Sequence, residues 1–107
     1  MPVDVNRPGP WNHRNLTARG TRFHVALAGP EAPSGRGVLT LLIHGFPECW
    51  WTWRHVIPAL AQAGHRVAAL DLRGFGGSDR PPSGYDLVTL AQDLAAVVRS
   101  LGHERAV

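Results

Sequence analysis

The residues best suited to chemistry lie together at the end of one apolar run. Residues 38–43 are almost wholly hydrophobic, and the run stops abruptly at His44-Gly45-Phe46-Pro47. A short run of that kind reads as a buried strand of a parallel sheet with both faces covered. Gly45 admits backbone angles closed to other residues, and Pro47 fixes its own φ and offers no N–H. A strand ending in such a turn holds the backbone N–H groups near Phe46 in place. Fixed donors at the carboxyl edge of a parallel sheet are where α/β enzymes build their sites. The same residues also fit a plain tight turn after a core strand, and their types alone leave both readings open.

Other candidates carry less. Gly74-Phe-Gly-Gly-Ser-Asp79 imitates two motifs and satisfies neither. A dinucleotide fingerprint needs glycine where Asp79 stands and a helix directly after it, where Pro81-Pro82 intervene. A nucleophile elbow around Ser78 needs a small residue where Arg80 stands. A tight surface loop is the expectation. Cys49 has no activating base in its sequence context and reads as a small hydrophobe. The six histidines, at 13, 24, 44, 55, 65 and 103, show no metal-ligand spacing, so no metal is expected. Trp50, Trp51 and Trp53 crowd the segment after the turn, with Trp53 the candidate for the core and another ring free to wall a pocket.

The elements that must position the turn follow from periodicity. Residues 1–10 carry prolines and no period, and are expected to form a flexible arm. Residues 11–18 and 21–28 form two strands around Arg19-Gly20, a β-hairpin. In the second, Thr21, Phe23, Val25 and Leu27 alternate with Arg22, His24 and Ala26, the pattern of a half-buried strand. After the turn, Trp53, Val56, Ile57, Leu60 and Ala61 share one face of a helix, with Pro58 bending it or breaking its first turn and Gly64 ending it. Residues 66–70 form a strand ending at Asp71, and 72–84 can only be a loop. Leu87, Leu90, Ala91, Leu94, Val97, Val98 and Leu101 make an apolar stripe, with Asp86 as N-cap and Gly102 beyond the end. Ala106-Val107 reads as the first step of another strand. Strand and helix alternate, which implies an α/β fold with a mostly parallel sheet and right-handed crossovers.

Composition narrows the function. The chain has 107 residues, 44% hydrophobic and 18% charged, enough for one modest core. All eleven basic residues are arginines scattered from Arg7 to Arg105, so no basic stripe tracks a nucleic-acid backbone despite the net charge of +3. One cysteine excludes an internal disulfide. No secretory-type apolar segment and no stretch near the ~20 residues of a membrane span is present, and the expectation is a soluble, cytoplasmic protein.

His44-Gly-Phe-Pro-Glu-Cys-Trp50, Trp53-Arg54, Ile57-Pro-Ala-Leu-Ala-Gln-Ala-Gly64 and Asp71-Leu-Arg-Gly-Phe-Gly-Gly-Ser-Asp-Arg-Pro81 together resemble the amino-terminal part of an α/β-hydrolase, most similar to the epoxide hydrolases. The resemblance runs from about Trp11 to the last residue. It implies that residues 11–107 are the first part of an α/β-hydrolase domain, interrupted before the nucleophile elbow. It assigns the backbone N–H of Phe46 to the oxyanion hole and its ring to the substrate pocket. His44 and Gly45 hold the turn, Pro47 follows a cis peptide, and Trp50 belongs to the same pocket. In the family an Asp carboxylate opens an epoxide to an alkyl-enzyme ester, and a His-activated water hydrolyses the ester to a diol. Cap tyrosines polarise the epoxide oxygen. No cofactor is implied, and the only implied partner is a small-molecule substrate. Nucleophile, acid partner, catalytic His and cap tyrosines lie outside these residues, so the isolated chain is expected to be inactive. It is also expected to be marginally stable, with one edge of strand 38–43 open. A dehalogenase, a serine esterase or a non-catalytic half-domain binding module are the alternatives.

Overall fold

The structure, a computed structural model, describes residues 5–30, 38–45 and 48–107. Four strands form one mixed sheet: β1 (Asn12–Ala18), β2 (Thr21–Ala28), β3 (Leu39–Ile43) and β4 (Arg66–Leu70), in the order β1-β2-β4-β3. β1 and β2 are an antiparallel hairpin, β2 pairs antiparallel with β4, and β3 runs parallel to β4. The parallel pair is joined through helix α1 (Val56–Gln62), and α2 (Leu87–Ser100) follows the long loop after β4. Ala106 makes a parallel bridge to Leu39. The Leu41 amide donates to the Val107 carbonyl at 2.9 Å. The last residues therefore begin a neighbour for β3 on the side away from β4.

The hairpin turn is tighter than its composition suggests. Both Arg19 (φ 53°) and Gly20 (φ 76°) take left-handed angles, as the two-residue turn matching strand twist requires. A non-glycine residue there costs on the order of 1 kcal/mol. Side-chain bonds offset that cost: the Arg19 guanidinium donates to Asp93 at 3.0 Å and Gln92 at 2.8 Å on α2.

The alternation in β2 separates two cores, not core from solvent. Phe23, Val25 and Leu27 pack with Leu16, Leu39, Leu70, Val97 and Val98 beneath α2. On the opposite face Ala26 and Ala28 pack with Leu42, Cys49, Trp50, Ile57, Val67 and Ala69. His24, expected on the outer face, is buried. Small alanines on β2 and β4 leave the volume that the indole of Trp50 fills.

That indole corrects the expectation for Trp53. A single 3₁₀ turn spans Trp50–Trp53, and α1 begins only at Val56. The helical period extrapolated back to Trp53 therefore fails, and Trp50 is the fully enclosed ring while Trp53 is half-buried. Pro58 falls in the first turn of α1, where an amide has no intrahelical acceptor to lose. Gly64, at φ 95°, follows the helix end in the left-handed conformation.

α2 is capped as expected, the Asp86 carboxylate accepting from the Thr89 amide at 3.0 Å. Its stripe is rotated, however. Asp93, rather than Ala91, faces inward beside Val97, and Leu87 is 84% exposed. The reason is an ion pair: Arg73 donates to both Asp93 oxygens, at 2.7 and 2.9 Å, in a buried fork. That contact pushes the Arg73 guanidinium further up from its ordinary value.

Candidate functional site

β3 delivers His44 and Gly45 to the carboxyl edge of the sheet, beside the end of β4. Phe46 and Pro47, and with them the expected amide donor and the expected cis peptide, lie outside the described residues. The flanks of the turn are defined, and two consecutive residues beyond β4 hold them. On the near side the Leu72 amide donates to His44 Nε2 at 3.1 Å. An accepting Nε2 leaves the ring proton on Nδ1, which donates to the Gly45 carbonyl at 2.9 Å. On the far side the Trp50 amide donates to Asp71 Oδ1 at 2.7 Å. Within the turn the Glu48 amide donates to the Gly45 carbonyl at 2.8 Å, and the Thr52 hydroxyl donates to the Glu48 carboxylate. The Phe75 ring meets His44 edge-on at 5.1 Å.

Asp71 is the centre of this arrangement. It is completely buried and accepts from Trp50, from the Gly77 amide at 2.9 Å and from His24 Nδ1 at 2.8 Å. Burying a carboxylate is costly unless it is paired and hydrogen-bonded, and here both conditions are met. Gly76 explains itself in this setting: its φ is 51°, and a Cβ there would collide with the Asp71 carboxylate. The loop 72–84 is therefore not a plain surface loop. Ser78 is buried, its hydroxyl donating to the Asp71 carbonyl at 2.6 Å and accepting from the His24 amide at 3.0 Å.

The five expected site residues divide accordingly. His44 and Gly45 sit at the turn, Phe46 and Pro47 fall outside the description, and Trp50 is enclosed in the core beneath the turn, its ring packed edge-on to Trp11 and Trp51. Cys49 is buried, and desolvation pushes its thiol up, which opposes a nucleophilic role. Sequence reasoning missed His24 and Asp71 as partners. The available signal was an acidic residue at the very end of an apolar strand, which must find a partner where it lies.

Among the described residues no group of three His, Cys, Asp or Glu side chains could hold a metal ion. No described helix is long and apolar enough to cross a membrane.

Comparison with known proteins agrees with this layout. A family described as the alpha/beta hydrolase fold matches residues 40–107. Epoxide hydrolase B of Mycobacterium tuberculosis is 48% identical over 96 residues, 88% of this chain and 26% of that protein. Bifunctional epoxide hydrolase 2 of Sus scrofa is 48% identical over 94 residues, 86% of this chain and 16% of that one. The crystal structure of an epoxide hydrolase from an endophytic Streptomyces superimposes with a TM-score of 0.83 at 42% identity, covering 92% of this chain and 29% of the other. The chain thus spans under a third of the length of these relatives. A strand ending in a clamped His-Gly turn, on a sheet shared with these enzymes and matched along more than half its length by the family pattern, settles the kinship: this chain belongs to the α/β-hydrolase fold family.

Proposed function

We propose that this chain is the oxyanion-turn portion of an epoxide hydrolase. The observation that carries the reading is the 48% identity to epoxide hydrolase B of M. tuberculosis across 88% of the chain. The clamped flanks of the turn support it, because a donor at Phe46 acts only if the backbone around it cannot move.

In this reading an Asp carboxylate from the following strand attacks an epoxide carbon. The C–O bond breaks, and the oxygen takes a proton from a cap tyrosine. Water, deprotonated by a His, then adds to the carbonyl of the resulting ester. The Phe46 amide donates to the carbonyl oxygen as it becomes an oxyanion. Collapse expels the alkoxide, which takes the carboxyl proton to leave as the diol, and the proton held by the His returns to the tyrosine. One such donor is worth roughly 3 kcal/mol, or about a hundredfold in rate. Pro47 and the Phe46 ring shape the pocket wall nearest the turn, and Trp50 supports that wall from the core beneath.

The remaining parts have a place to go. Beyond β3 lies a cleft of about 310 Å³ whose walls are Leu41, Ile43, Leu94, Val98 and the last residues. Arg99 and Glu104 also line it, so that it is apolar along β3 and charged at the α2 end. An apolar groove along a half-paired strand suits a further strand of the same sheet.

The test is to read the coding sequence around this stretch and assay the product of the whole frame. The expected result is a strand after Val107 leading to a small-x-Asp-x-small elbow, with epoxides converted to diols. In a single turnover in isotopically heavy water, the label enters the enzyme carboxylate, because water attacks the ester carbonyl. A Ser elbow with ester hydrolysis and no diol would overturn the reading, as would a frame with no elbow and no turnover.

A further inference from the structure

We infer that His13, His24 and Asp71 form a binding site for one proton, and that this proton ties the amino-terminal segment to the clamp beneath the turn. Three hydrogen bonds run in series. His13 Nε2 lies 2.7 Å from the Arg7 carbonyl, His13 Nδ1 lies 2.9 Å from His24 Nε2, and His24 Nδ1 lies 2.8 Å from Asp71 Oδ2. Each contact needs one proton between its two heavy atoms. A carbonyl oxygen only accepts, so the first proton must sit on His13 Nε2. The second lies between the two rings and the third between His24 and Asp71. Two neutral imidazoles supply two protons and a carboxylate supplies none. The series is complete only with one more proton, taken from solvent.

The count holds wherever that proton resides. Asp71 already accepts from the Trp50 and Gly77 amides, the role an ionised carboxylate fills best. The extra proton therefore belongs to the imidazole pair, which is stacked at 5.1 Å with an interplanar angle of 22°. Its charge is met by Asp71 across a contact between side chains only 1% and 0% exposed. His44 makes the contrast: one of its ring nitrogens faces a donor and the other an acceptor, so it needs no additional proton.

The other groups around the pair leave this balance intact. The Trp50 ring lies edge-on to both imidazoles, at 5.0 and 6.0 Å. Cys49, whose thiol burial holds in the neutral form, is the neighbour on the 3₁₀ turn. On the loop side Asp79 is paired with Arg22 at 3.4 Å, and the Arg7 guanidinium rests over the Trp51 ring. When the proton leaves, one contact in the series sets lone pair against lone pair. The contact between His13 and Arg7 is the exposed one, so it opens first and frees the segment before β1.

The test is magnetic resonance of the ring N–H groups in the 107-residue chain, carrying isotope-labelled histidine, at neutral pH. The expected result is three ring protons across His13 and His24 and one on His44. His13→Asn offers His24 Nε2 an uncharged amide donor, and there His24 keeps a single proton on Nδ1. Raising the pH to about 9 should move the Trp11 indole N–H signal, since that group shares the Arg7 carbonyl at 2.9 Å, in the native chain and not in His13→Asn. Two ring protons across the native pair would overturn the proposal. So would six histidines that respond alike to pH, or a Trp11 signal that shifts equally in both proteins.

Discussion

The two faces of the sheet solve the same packing problem differently. Under α2 the core is Phe23, Val25, Leu27, Leu39, Leu70 and Val97, large apolar side chains with no polar atom among them. Its buried ion pair, Arg73 on Asp93 with the more exposed Arg19 alongside, fastens α2 to the loop after β4 rather than to the turn. Under the 3₁₀ turn and α1, alanines and tryptophans surround a buried His24–Asp71 pair. The first face gains stability from area removed from water. The second spends part of that gain on burying polar groups whose bonds fix backbone positions at the turn. A site that must hold an amide in place needs directional bonds, and apolar contact supplies none.

Neighbouring residues on β4 and just beyond it give the sharpest way to break this contrast. Asp71→Ala leaves His24 and the Trp50 and Gly77 amides without their acceptor, and should cost about 3–5 kcal/mol. Urea unfolding measures the loss, and near-ultraviolet circular dichroism should report the disturbed Trp50. Leu70→Ala, one residue away on the α2 face, should cost about 3 kcal/mol as a cavity and leave the tryptophan signal unchanged. If both variants altered that signal equally, the faces would not be independent.

Smaller effects lie at the edges. Hydrogen bonds from the Thr89 hydroxyl and amide hold the Asp86 carboxyl below its ordinary value. Its cap is therefore fully present above about pH 3.9 and is lost as the pH falls through the lowered value. Far-ultraviolet circular dichroism during acid titration should show α2 fraying in that window, and Asp86→Ala should abolish the step. Arg22→Ala, which removes an exposed pair with Asp79, should change stability by no more than about 0.5 kcal/mol.

Much of the architecture was legible in the sequence because caps and periods are local. The bounds of β4, the Asp86 cap and the Gly64 and Gly102 ends all follow from neighbouring residues. The second core was not legible. Period-two alternation distinguishes two faces but cannot say whether the less apolar one meets water or a second layer. Alanine and histidine fit either. The break at Arg54-His55 shifts the helical phase, so periodicity points to Trp53 rather than Trp50 as the core ring, and Ser78 reads as surface because its partners lie far away in sequence. His44 and Gly45 were placed at the turn from their own types. The importance of Asp71 depended on knowing that β4 lies between β2 and β3.

That central position of β4 also sets an order in time. Both of its neighbours precede it in the chain, and β2 and β3 pair with it rather than with each other. During synthesis the hairpin and β3 emerge first and wait, with their inner edges open, until residues 66–70 leave the ribosome. Pairing then completes on both sides at once, and Asp71 arrives in the same step to fasten the turn. A pause in translation before residue 70 would prolong the exposure of two unpaired strands. A pause after residues 66–70 have emerged would meet a sheet already closed around its middle strand.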